Sequence, residues 1–184
     1  RMGTAGFEAV VLHHVEFFRE RVDGLVAEAA VVVPAEGALV ERHRATGQVT
    51  NAFVSGFGYS RPCAMASTVA HDSHHMIVVG TNKSDMAQAA NRLREVGGGV
   101  VLISEGRELA LVEMPIAGLM SDERAEVVAA KAAKLTEAMR TVGCTLNNAY
   151  MQHSLLALVV IPELRISDIG LVDVRTFERV ELFV

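Results

Sequence analysis

Short apolar segments, each ended by glycine, proline or polar residues, fill most of the chain between residues 38 and 113. Segments of this length, rich in Val and Ile and bounded by turn residues, are typical of β-strands. Because the connections between successive segments are short, much of the pairing must be antiparallel. The pattern predicts strands at 38–41, 49–55, 64–69 and 76–79, and a hairpin of 100–103 with 108–113 across Glu105–Gly106.

One helix is predicted inside this region. Asn82 has Asp85 three residues further on, a pairing typical of a helix N-terminus. Three glycines at 97–99 permit a left-handed C-cap, so the helix should end near Val96. The glycines follow the helix instead of opening it, which favours a structural role over phosphate binding.

A second helix is predicted to run to about Val142, with Ser121 or Asp122 as its N-cap. Its apolar residues recur every three or four positions, which indicates one buried face. These residues are Val128, Ala132, Leu135, Met139 and Val142.

The two ends of the chain are less clearly patterned. The apolar segment 154–161 fits a buried strand or a buried helix, and strands are predicted at 171–174 and 179–183. Near the N-terminus, Asp23–Gly24 favours a hairpin, with an amphipathic helix over 7–22 as the alternative. The N-terminal strands would lie near 9–12, 17–22 and 25–27. The fold class is therefore mixed α+β, with largely antiparallel sheet layers covered by at least two helices.

Composition excludes several classes of protein. Hydrophobic residues make up 51% of the 184 residues and aromatic residues 5%, so the core must be built mainly from aliphatic side chains. The net charge is −5 and Lys and Arg form no dense cluster, which argues against nucleic-acid binding. No apolar stretch approaches the roughly 20 residues of a membrane span. Cys63 and Cys144 are far apart and suggest reduced thiols in a cytoplasmic protein.

Residues 71–75 are the strongest candidate site, because three of the seven histidines lie there beside Asp72 and Ser73. A buried strand is predicted to follow at once, which leaves a functional loop and a simple polar turn as alternatives. Adjacent side chains of an extended segment point apart, so a metal site made by His71, His74 and His75 is not favoured. His71 and His74 are better candidates as hydrogen-bond donors to a ligand.

A weaker candidate is the segment 118–122. If it opens the second helix, its amide groups could hold an anion or a substrate carbonyl, with Gly118, Ser121 and Asp122 at the site. An ordinary helix cap is the alternative. The chain has no phosphate-binding loop, dinucleotide fingerprint or nucleophile elbow.

Several segments together resemble the C-terminal domain of bacterial adenine deaminase in order and spacing, over roughly residues 38–184. Residues 18–27 also resemble the strand–turn–strand tail of the amidohydrolases. The matching blocks lie at 40–43, 53–58, 66–74, 78–82, 97–99, 115–122, 161–164 and 170–174.

The resemblance implies two parts, a β-sandwich tail at 1–36 and the family domain at 37–184. It implies hydrolysis of adenine to hypoxanthine and ammonia by an amidohydrolase barrel, which holds a divalent Mn, Fe or Zn ion. A chain of this length has no room for that barrel of about 250 residues, so we expect this chain to be inactive alone. We expect the barrel as partner, the cytoplasm as location, and leave a homo-oligomer open.

In this setting His71, Asp72, Ser73 and His74 would form a substrate-facing loop outside the metal centre. His75, Gly118, Ser121 and Asp122 are weaker candidates for substrate binding. Two residues depart from the family pattern: His75 stands where Asn is usual, and Arg44 where Gly is common. The alternative function is a standalone, non-catalytic domain that binds purines or mediates oligomerisation.

Overall fold

The main sheet has six antiparallel strands in the order β2-β1-β4-β3-β5-β6. A computed structural model describes residues 35–182. The predicted strands of this region are all present, with ends shifted by a few residues. Their bounds are β1 Ala35–Val40, β2 Val49–Val54, β3 Ala64–Ser67, β4 Met76–Gly80, β5 Gly99–Ser104 and β6 Arg107–Glu113.

The first helix, α1 (Lys83–Val96), confirms its predicted caps. The Asn82 side chain accepts a hydrogen bond from the Asp85 backbone N–H at 2.8 Å. Gly97 takes the left-handed conformation, with φ 86°, that glycine adopts without steric cost. Gly80 allows α1 to approach the sheet closely, since a Cβ there would lie 2.6 Å from Met86 Cγ.

Alternation along the strands sends side chains to both faces of the sheet, so the core is divided. Val101 and Ile103 of β5 pack with α1 residues Met86 and Leu93 on one face. Val100 and Leu102 point to the other face and belong to a second cluster that includes residues of a helix after β6. The main sheet is therefore covered on both faces.

That helix, α2, spans Ala125–Thr141. Its predicted apolar face is confirmed, because Leu135, Met139 and Val142 are buried. The predicted start is wrong: the N-cap residue is Arg124, whose side chain makes no capping hydrogen bond. Residues 116–120 instead form a small hairpin, described below, which delays the helix.

Segment 154–161 is neither the strand nor the continuous buried helix predicted for it. A short helix, α3 (Ala149–Ser154), leads into a 3₁₀ turn at Leu155–Ala157. Beyond it the backbone is irregular, and Val160 is 62% exposed. Ala157 is buried against the sheet while Val160 faces solvent, so the apolar run is divided between inside and outside.

A second sheet of three antiparallel strands closes the described chain, in the order β7-β8-β9. The strands are β7 Leu164–Ser167, β8 Gly170–Asp173 and β9 Glu178–Val180. The last two were predicted, whereas β7 was not. Its Ile166 packs with Leu39 and Ile77 of the main sheet, so the two sheets share a core.

Other predictions have mixed outcomes. Cys63 and Cys144 are free and buried, as predicted for reduced thiols, and they pack as small apolar side chains. No helix within residues 35–182 is long and apolar enough to cross a membrane. The N-terminal strands, their helical alternative and nearly all of the predicted tail at 1–36 lie outside the described residues.

Asp85 links α1 to the β5–β6 hairpin. Its side chain is buried and accepts hydrogen bonds from the backbone N–H groups of Glu105 and Gly106, each at 2.9 Å. We expect Asp85→Ala to lower the free energy of unfolding by about 1–3 kcal/mol, because both amides lose their acceptor. Urea unfolding measures the difference.

The matched control is Asp122→Ala, since Asp122 is exposed. Its effect should stay within about 0.5 kcal/mol. Equal effects of the two substitutions would contradict a linking role for Asp85.

Candidate functional site

The loop 71–75 connects β3 to β4 at one end of the main sheet. A hydrogen bond from the His74 N–H to the Ala70 carbonyl, 2.7 Å long, closes the turn. His74 takes the left-handed conformation with φ 52°, which is uncommon for a residue other than glycine. Asp72 and Ser73 are exposed at the tip, and His71 and His74 are half-buried behind them.

His71 and His74 face each other edge to face, with 5.1 Å between their ring centroids. Asp72 Oδ1 lies 4.0 Å from His71 Nδ1. Burial is the largest cause that lowers the pKa of His74, followed by its neighbours His71 and Arg42, and this favours the neutral ring near pH 7. The loop therefore brings three of its predicted site residues together.

The neutral His74 ring has one defined tautomer. Its Nδ1 accepts a hydrogen bond from the Ala70 N–H at 3.3 Å, so the proton is on Nε2. Nε2 makes no hydrogen bond within residues 35–182. His74 can therefore donate one hydrogen bond to a ligand without breaking a contact of its own.

His75 is buried and turned toward other partners. Its Nδ1 accepts from the Arg42 N–H at 3.4 Å, and its Nε2 lies 3.7 Å from Asp168 Oδ2 in the β7–β8 turn. The His43 ring packs beside the His75 ring, with 4.6 Å between the ring centroids. Burial is the largest cause that lowers the pKa of His75, and Asp168 partly opposes it. His75 thus joins the loop to the second sheet.

Glu41 organises the turn after β1. Its buried carboxylate accepts hydrogen bonds from the backbone N–H groups of His43, Arg44 and Thr46, at 2.6, 2.7 and 3.0 Å. Burial by itself would raise the pKa of Glu41. These hydrogen bonds outweigh burial and lower the pKa to about 2. The turn holds His43, whose Nε2 lies 2.6 Å from the Ser73 carbonyl oxygen.

Residues 116–120 form a small hairpin with a three-residue loop in place of the predicted helix start. The Ile116 and Met120 backbones exchange hydrogen bonds of 3.1 Å each. Ala117 and Gly118, between them, have φ values of 57° and 75°, the combination of a type I′ turn. Amides 118–122 are therefore not helix N-terminal donors, so a helix start does not support anion binding at this segment.

The predicted residues of this segment are separated from one another. Gly118 packs against Gly98, because a Cβ on Gly98 would lie only 2.5 Å from the Gly118 Cα. Thr68 Oγ1 donates a hydrogen bond to the Gly118 carbonyl at 2.6 Å. This close approach accounts for the second glycine of the triplet. Ser121 follows the hairpin and accepts from the Glu123 N–H at 3.3 Å. Asp122 is exposed.

Sequence reasoning did not single out Arg42, which connects the two candidate segments. Its Nε donates to the His74 carbonyl at 2.6 Å, and its Nη2 donates to the Ala117 carbonyl at 2.8 Å. Arg42 does lie in one of the blocks that resemble the family, next to Glu41, and this was the one available signal. Its partners His74 and Ala117 are 32 and 75 residues away, so the sequence did not connect them to it.

The three histidines do not form a metal site. His75 contacts Glu41 and Asp168, whereas His71 and His74 contact each other. Within residues 35–182, no three His, Cys, Asp or Glu side chains come together as metal ligands would. The described residues therefore do not fit the divalent ion that the family resemblance implies, and we assign them no step through such an ion.

The Glu41 carboxylate predicts a specific pH dependence. The pKa of this group is lowered on folding, so its stabilisation is complete above about pH 4.5 and disappears as the pH falls toward 2. We expect Glu41→Gln to lower the free energy of unfolding by about 1–3 kcal/mol near neutral pH. The difference should shrink at about pH 3, as measured by urea unfolding.

Glu137→Gln on the exposed side of α2 is the control, and it should change stability little at either pH. A deficit of Glu41→Gln that stays constant with pH would show that charge on Glu41 does not hold the turn.

Comparisons with known proteins show which family the sequence belongs to. A family profile described as the adenine deaminase C-terminal domain matches residues 20–178. The adenine deaminase of Mesorhizobium japonicum is 76% identical over 162 residues, which are 88% of this chain and 27% of that protein. Adenine deaminase 3 of Rhizobium meliloti is 80% identical over 147 residues, or 80% of this chain and 25% of that protein.

Similarity extends to a more distant relative. The adenine deaminase of Moorella thermoacetica is 47% identical over 161 residues, covering 88% of this chain and 27% of the relative. The chain thus spans about a quarter of the length of these relatives. Because the profile covers most of the chain, the resemblance is confirmed: the chain belongs to the adenine deaminase C-terminal domain family.

Proposed function

We propose that this chain forms the C-terminal part of an adenine deaminase, which hydrolyses adenine to hypoxanthine and ammonia. One observation carries the proposal. The chain is 76–80% identical to proteins named adenine deaminase, over about a quarter of their length. A divalent metal, held by residues of an amidohydrolase barrel, would supply the Lewis-acid chemistry that activates water in the complete enzyme. The metal, the barrel and the cytoplasmic location are parts of this proposal.

The domain packs on the barrel through the surface that carries loop 71–75. Beside this loop, the 116–120 hairpin exposes Ile116, Leu119 and Met120, and Met120 is 58% exposed. Neighbouring exposed apolar side chains are typical of protein contacts. The same surface presents Asp72 and His74, so contact with the barrel would bring both toward its active site.

The chemistry of the loop suits a purine. Adenine has ring nitrogens that accept hydrogen bonds and an exocyclic amine that donates them. The neutral His74 offers a donor at Nε2, and the Asp72 carboxylate offers acceptors. In this arrangement His71, whose Nδ1 lies 4.0 Å from Asp72 Oδ1, orients Asp72. The contact of the Ser73 carbonyl with His43 Nε2 holds the loop tip.

The weaker candidates take different roles in this proposal. His75 supports the loop from inside through Arg42 and Asp168 and does not contact substrate. Gly118 gives the hairpin its close contact with the sheet. Ser121 and Asp122 lie beyond the hairpin, and nothing in their contacts supports a role in binding.

A standalone purine-binding or oligomerisation domain is the less favoured function. The relatives that match the chain are about three times its length, and only about a quarter of each is matched, which supports a role within a larger enzyme. No observation within residues 35–182 favours the standalone function over the enzyme.

The test uses the complete polypeptide with its bound metal. We expect His74→Ala and Asp72→Asn each to lower kcat/KM for adenine about tenfold or more, because each removes a proposed substrate contact. Asp72 is exposed, so Asp72→Asn should change the thermal midpoint by less than about 2 °C. His74 is half-buried and accepts the Ala70 N–H, so the midpoint of His74→Ala should fall by no more than about 4 °C. Steady-state kinetics and calorimetry measure the two quantities.

Glu137→Gln, on the solvent side of α2, is the control and should leave kcat/KM unchanged. Values within twofold of the unsubstituted enzyme for both loop variants would remove the loop from the site. Absence of adenine hydrolysis by the complete, metal-loaded polypeptide would instead overturn the proposed function.

A further inference from the structure

Arg42 is the side chain through which the two candidate loops meet. It follows the end of β1 and donates to His74 in loop 71–75 and to Ala117 in the 116–120 hairpin. The acceptors are 32 and 75 residues away in sequence. Its own backbone N–H also donates to His75 Nδ1. Two segments that are distant in sequence therefore converge on a single residue.

Both acceptors are backbone carbonyls at strained positions. His74 and Ala117 have φ values of 52° and 57°, which residues other than glycine seldom adopt. A carbonyl in such a turn is not engaged by strand pairing, so another donor must hold its direction. The hydrogen bond from Arg42 Nε to the His74 carbonyl fixes the peptide that follows the His74 side chain.

The guanidinium is itself held in place. A Cβ at Gly118 would lie 2.9 Å from both Nη1 and Nη2, so the absence of a side chain there leaves room for Arg42. Glu41 does not neutralise it, because the Glu41 oxygens are engaged by the turn 43–46. Within the described part of the chain, Arg42 forms no ion pair. Its contacts are with neutral carbonyls, which points to a geometric role.

We propose that Arg42 is a positioning residue that joins loop 71–75 to the 116–120 hairpin and thereby aims His74 at the substrate. The inference rests on the proposed function. Arginine is required because its planar fork presents donors in two fixed directions, whereas a lysine ammonium is a point donor on a flexible stem. Arg42 acts through His74 and does not itself contact adenine.

The test is a double-mutant cycle in the complete, metal-loaded enzyme. Arg42→Lys keeps the charge and most of the stem, which favours folding. We expect it to lower kcat/KM for adenine about tenfold while the thermal midpoint falls by less than about 3 °C. In the His74→Ala background, Arg42→Lys should cause less than a further twofold loss, because the residue it positions is already absent.

Arg44→Lys is the matched control. Arg44 lies two residues away and is exposed, and its contact with Glu41 is made by its backbone N–H. It should leave kcat/KM unchanged in both backgrounds.

Each outcome decides the matter. Full activity of Arg42→Lys, with activity lost in His74→Ala, overturns the inference and leaves the proposed function intact. Losses that multiply in the double variant also overturn it, since Arg42 would then act independently of His74. Loss in Arg42→Lys that is absent from the His74→Ala background supports it.

Discussion

The buried carboxylate of Glu41 is the contact on which the candidate surface depends. Its two oxygens receive three backbone amides and the Thr46 hydroxyl, so the chain after β1 has to curl around them. Backbone amides supply three of these four bonds, which leaves the side chains of Arg42, His43 and Arg44 free for other partners. Arg42 and His43 point outward from this turn to the loop between β3 and β4, and both contact its carbonyl oxygens.

Local signals predicted the parts of the fold that depend on neighbouring residues. The caps of α1 and the β5–β6 hairpin rest on side chains and glycines within a few positions of each other, and both were correct. The start of α2 was wrong because Gly118 fits against Gly98, which belongs to another element. The apolar segment 154–161 was wrong for a similar reason, since its two halves meet different surroundings.

The candidate site was predictable in its residue types and less so in its arrangement. The cluster 71–75 stood out by composition alone, yet nothing local separates His74, which is half-exposed, from His75, which is buried. That difference comes from Asp168, more than 90 residues away, and from the turn at Glu41. The departure from the family's Asn at position 75 therefore lies on an internal contact between the two sheets. Arg42 could not be identified without knowing where residues 74 and 117 lie.

The strand order has a consequence for how the domain is made. β1 pairs with its neighbour β2 and, on its other side, with β4, while β3 lies between β4 and β5. As the chain leaves the ribosome, the β1–β2 hairpin has one edge without a partner until β4 has been synthesised. β3 likewise has no partner until β4 and β5 have been synthesised. An unpaired edge can recruit strands from other chains. Loop 71–75 leads directly into β4, so the segment that carries the candidate site also brings in the strand that closes this edge.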